Sequence, residues 1–172
     1  MAIVPDTKNW TWVLERQCPD CGFFAGDVSF RDIPVSIRAD VDAWADVLSS
    51  PHVAQRPDEQ TWSRLEYGAH VRDVHRKFLT RLDLVRTEDD PLFENWDQDA
   101  TAIEDDYNAQ DPATVAIELA DAARALADAF DAVPDADLSR TGRRSDGARF
   151  TIRTLAQYYI HDPVHHLWDV RR

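Results

Sequence analysis

Basic residues are scarce in this chain: 19 lysines and arginines stand against 32 aspartates and glutamates, a formal charge of −13. Such a surface repels phosphate backbones and anionic headgroups, so nucleic acid and membrane are not expected partners. Long apolar runs are missing as well. No window approaches the roughly 18 consecutive apolar residues of a membrane span, and the opening MAIVPDTKNW lacks the basic-then-apolar order of a secretory signal. The expectation is a soluble, cytoplasmic protein. Only two cysteines occur, both in Cys18-Pro19-Asp20-Cys21-Gly22, a spacing used by half of a zinc knuckle or by a redox pair. With no second pair a four-cysteine zinc site is excluded. A tight turn or a fortuitous pair accounts for the element equally well, so it stays outside the assigned site. No glycine-rich dinucleotide or methyl-donor loop is present, nor any internal repeat.

What the chain does have is a core. Hydrophobic residues make up 44% of it, with six Trp, seven Phe and four Tyr, too rich for disorder. Its 172 residues suit one domain. Residues 1–30, with Trp10, Trp12, Phe23, Phe24 and Phe30 around the cysteines, read as an aromatic leader packed on that domain. A first helix opens at Asp32-Ile33-Pro34, an N-cap candidate followed by proline, carries Ile37, Val41, Trp44 and Leu48, and ends by Pro51. A second is expected from about Thr61 to Thr87, its apolar stripe running through Tyr67, Val71, Val74, Phe78, Leu82 and Val85. Residues 88–110 are acidic and aperiodic, longer than a usual helix connection, and form a candidate functional loop held down by Phe93 and Trp96. Asp111-Pro112 starts a third helix, with Val115, Leu119, Ala122, Leu126 and Phe130 facing inward, that ends near Pro134. Gly142 and Gly147 mark a turn-rich connection or short hairpin over 134–150, and a fourth helix follows from Thr151 to Val170. Four amphipathic helices without period-2 alternation predict an all-α, antiparallel four-helix bundle with decorated loops.

Three of the six histidines fall in His161-Asp162-Pro163-Val164-His165-His166. Imidazoles four residues apart project from one helix face, about 40° apart on the wheel, and can share a cation. Two such ligands leave a catalytic zinc site one short. Both His70 and His75, about 70° from the centre of the second helix's stripe, can supply the third, whereas His52 beside Pro51 falls in a loop. Spacing alone does not choose between them. Asp162, turned about 100° from His161, reads as an orienting group or a turn cap rather than a general base.

Gly68-Ala69-His70-Val71-Arg72-Asp73-Val74 and the HDPVHH segment, together with Trp10–Arg16, Cys18–Gly22, Asn95–Ala100 and Thr141–Gly147, resemble the actinobacterial branch of the DinB superfamily. The resemblance implies a four-helix bundle holding one divalent metal on His70, His161 and His165, with His75 as a flanking residue. Zinc is the first expectation, with nickel, iron or manganese compatible. Relatives include mycothiol-dependent maleylpyruvate isomerase and metal-dependent thiol S-transferases. The implied function is therefore activation of a small thiol such as mycothiol for attack on an electrophile. Metal-dependent hydrolysis and a non-catalytic, stress-associated metal protein are the alternatives. Some relatives use Glu in place of one His. Arg143, Arg144 and Arg149 read first as solvated loop arginines of an arginine-rich chain and second as holders of an anionic co-substrate, and a homodimer is compatible with the family.

Overall fold

Helix α1 (Ile33–Leu48) begins at Asp32, and Pro34 in its first turn supplies a pre-set φ where no amide donor is needed. Helix α2 (Arg64–Thr87) is started by a capping box. The Ser63 side chain accepts from the Glu66 amide and the Glu66 carboxylate accepts from the Ser63 amide. Helices α4 (Pro112–Asp131) and α5 (Ile152–Asp169) start at Asp111 and Thr151, whose side chains accept from amides three residues on. In this computed structural model residues 9–172 are described, and the first eight residues of the leader lie outside them.

α4 packs on α1 and α2, and α5 on α2 and α1. The pairs His70–Asp162 and His75–Tyr159 show that α2 and α5 run antiparallel. The buried core divides into one cluster around Phe78, Leu126, Phe130 and Tyr159 and another around Trp44, Leu65, Leu119 and Leu167. Ala123 and Ala127 are the fully buried alanines of α4, and the expected Ala122 is only half-buried. Ala122 and Ala123 are compatible with the same stripe, because adjacent positions flank its centre. No helix of the described residues is long and apolar enough to cross a membrane.

The decorations carry structure of their own. Strand β1 (Leu92–Phe93) pairs in parallel with β2 (Thr141–Arg144), which forms an antiparallel hairpin with β3 (Arg149–Thr151). Gly142 is required here because a Cβ would stand 2.5 Å from the Phe93 ring. The acidic loop contributes a short helix, α3 (Gln98–Glu104), capped by Asp97. Residues 9–32 run as short 3-10 turns across α5, with Val13, Ala25 and Phe30 buried in the core.

One core-facing group works against the fold. Burial pushes the half-buried Asp40 carboxyl of α1 up to about 6, partly offset by Arg171, and its Oδ2 has no hydrogen-bond partner. A raised carboxyl favours the protonated form in the folded state, so what it adds to stability is present at low pH and lost as pH rises through 6. Asp40→Asn is therefore expected to stabilise the protein by about 1–2 kcal/mol at pH 7.5, after discount for solvent screening, and by less at pH 4. Urea unfolding at the two pH values measures this, and equal gains at both would contradict it.

Candidate metal centre

The metal-capable residues gather on α5, where two stripes of i, i+4 residues lie side by side. His161 and His165 form one and Asp162 and His166 the other, turned about 100° further round the helix. The second stripe faces α2. His70, Asp162 and His166 bring their ligand atoms within 4.8 Å of one another. The first stripe faces the leader, where Cys18, Cys21, His161 and His165 form a second group with the same limit. The structure thus gathers His70 with Asp162 and His166, and His161 and His165 with the two cysteines, rather than the three histidines of the sequence expectation around one point.

His70 is fully buried, and neither ring nitrogen has a hydrogen-bond partner. Its Nε2 lies 3.4 Å from Asp162 Oδ1, which is also buried without a partner. Leaving such groups unsatisfied costs about 1–3 kcal/mol each. A shared cation satisfies both facing atoms at once, and two donors bound at about 2.0–2.1 Å to a tetrahedral ion stand about 3.4 Å apart. His166 completes the group. Its Nδ1 lies 3.0 Å from Asp169 Oδ2 and its Nε2 3.7 Å from Asp162 Oδ1. Donation from Nδ1–H to Asp169 leaves the Nε2 lone pair for a ligand. Burial alone would raise the Asp162 carboxyl, but the His70 and His166 imidazoles hold it well below the ordinary carboxylate value. The residues present fit a divalent cation.

The surroundings keep water from His70. The Trp96 indole stacks on the His70 ring at 5.6 Å between centroids, Trp62 lies at 5.3 Å, and Tyr67 packs on His166 at 5.0 Å. Trp96 is fixed by a hydrogen bond from its Nε1–H to Thr101 Oγ1, which gives the long acidic loop its role as a cover. Asp162 and His166 line a cleft of about 430 Å³ that also reaches Trp10, Arg81, Arg144 and Tyr158. Arg144 grips Asp146 and donates to the Tyr158 hydroxyl at 3.0 Å. Arg143 and Arg149 instead pair with Asp90, away from the cleft lining. The buried Arg81 guanidinium stacks over Phe78 and Phe93 and lines the cleft, its Nε without a partner. Sequence spacing had shown neither Arg81 nor Asp169.

His75 serves the core. Its Nδ1 and the Tyr159 hydroxyl share a hydrogen bond of 2.7 Å, and burial pushes its pKa down to about 4. Burial also brings His161 to about 4 and lowers His165, so both are neutral and able to ligate near neutral pH. It pushes the Cys21 thiol up to about 11.

A sequence profile of the DinB superfamily matches residues 35–170. The chain belongs to the DinB superfamily. Among solved structures it is similar to YfiT from Bacillus subtilis, at 17% identity and a TM-score of 0.66, covering 99% of this chain and 93% of that one. YfiT is described as "a probable metal-dependent hydrolase with an unusual four-helix bundle topology". Comparison with curated protein sequences finds no match. The DinB profile starts at Val35, so the cysteine segment precedes the part of the chain that it matches.

Proposed function

We propose that this DinB-superfamily protein is a metal-dependent transferase that activates a small thiol, mycothiol being the first choice, for attack on an electrophile. The observation carrying this is the facing pair of orphaned buried atoms, His70 Nε2 and Asp162 Oδ1, at the edge of a cleft. When bound there, a divalent cation with an open position lowers the pKa of a thiol and presents it as the nucleophilic thiolate.

The rest falls to the chain's own side chains. His70, Asp162 and His166 would hold the ion, and Asp169 orients His166. Trp96 and Trp62 exclude water from the His70 side. Tyr158 lies one helical turn, about 6 Å, before Asp162, and beside it Arg144 and the buried Arg81 supply positive charge for an acceptor bearing a carboxylate or similar anion.

Metal-dependent hydrolysis is the second reading, favoured by the description of YfiT. Asp162 is a ligand in this arrangement, so the base would have to come from another cleft residue such as Asp97 or Asp99.

Metal-loaded protein is expected to accelerate addition of mycothiol to an anionic unsaturated or halogenated acceptor, with an apparent pKa below the roughly 8.5 of a free thiol. A chelator should remove the acceleration, and Arg81→Ala should raise KM for the acceptor more than it lowers kcat. Background rates with every thiol tried, alongside turnover of an ester or amide, would establish hydrolysis instead.

A further inference from the structure

We propose that Cys18, Cys21, His161 and His165 form a second metal site, a closed tetrahedral centre of two sulfurs and two nitrogens that takes zinc and fastens the leader to α5. Cys18 Sγ lies 3.6 Å from His165 Nδ1, and Cys21 Sγ lies 3.8 Å from His161 Nε2. Sulfur bound at about 2.3 Å and nitrogen at about 2.0–2.1 Å around one tetrahedral ion stand about 3.6 Å apart. All four ligand atoms lie within 4.8 Å of one another, and both cysteines are free.

The local backbone is a knuckle. The Gly22 amide donates to the Cys18 carbonyl at 2.9 Å, and the Cys18 amide donates to the Phe23 carbonyl at 2.9 Å. Gly22 sits at φ +75°, a conformation that glycine adopts without strain. On the other side, i, i+4 spacing delivers the two imidazoles. His165 uses Nδ1 toward the sulfur while its Nε2 points to Asp169 Oδ2 at 3.7 Å, the carboxylate–histidine pairing that orients metal-bound imidazoles. Trp10 covers both rings at 5.5 Å.

Two thiolates and two imidazoles arranged tetrahedrally select zinc among common divalent ions, and four protein ligands leave no open position. The site is therefore structural. Binding forms two metal–sulfur and two metal–nitrogen bonds, and two thiol protons pass to solvent with no change of oxidation state. The staple also fixes Trp10, which with His161 and His165 forms one wall of the cleft, and Asp169 touches a histidine of each site.

X-ray absorption and elemental analysis of zinc-loaded wild-type protein test this without any variant. About two zinc ions per chain and sulfur scattering from one of them are expected, and cobalt replacement should give a thiolate-to-cobalt charge-transfer band. Zinc should slow alkylation of the cysteines by at least about tenfold. Cys18→Ser with Cys21→Ser should lose one ion and the sulfur signal, while His70→Ala keeps the sulfur-bound ion. Metal-loaded wild-type protein without sulfur ligands, or cysteines alkylated equally fast with and without zinc, would overturn the proposal.

Discussion

His70→Ala is expected to weaken the cleft cation's binding by more than about 100-fold, since losing even an outer partner of a ligand costs about 10–100-fold. Metal-dependent turnover should fall with it. The buried His70 ring presents its Nε2 to Asp162, and no other side chain of α2 joins that group. His75→Ala should show the opposite pattern. It retains the cation but loses the buried bond to Tyr159 and leaves a void, at a cost to folding of about 2–4 kcal/mol. Competition of each variant against a chelator, with urea unfolding of the same samples, separates the two roles. Loss of the cation in His75→Ala together with its retention in His70→Ala would mean that α2 presents its other face to α5.

Acid should destabilise the protein through His75, whose imidazole burial brings to about 4 against about 6.5 in the unfolded chain. The neutral ring is favoured in the folded state, so between those values the unfolded state binds more protons and stability rises with pH. The contribution is fully present above about 6.5 and is lost as pH falls toward 4, with a ceiling of about 3 kcal/mol. Urea midpoints of the metal-free protein at pH 7.5 and 4.5 should therefore differ by more in the wild type than in His75→Gln. Identical pH dependence in the two would show that His75 is not held neutral by burial.

Elements bounded by local chemistry were legible along the chain. Asp32-Ile33-Pro34 and Asp111-Pro112 mark helix starts because N-cap and N1 preferences act within one turn, and α1 and α4 begin there. The turn-rich stretch with Gly142 and Gly147 became the β2–β3 hairpin. Length and acidity mark residues 88–110 as a candidate functional loop, but the pairing of β1 with β2 and the stacking of Trp96 on His70 depend on partners dozens of residues away.

Residue identity and period determined the bundle and the histidine-rich face of α5, because capping, amphipathicity and i, i+4 spacing are local properties, whereas Cys18-Pro19-Asp20-Cys21-Gly22 by itself reads equally well as a tight turn. Tertiary structure alone decided which of these side chains meet. Two stripes interleave on α5, and a turn of about 100° about the helix axis exchanges one for the other. Spacing therefore cannot tell which faces α2 and which faces the leader. Packing sends Asp162 and His166 toward His70 and places His161 and His165 against cysteines more than 100 residues earlier. Asp162 diverges from His161 in direction, and that divergence is what sets it opposite His70.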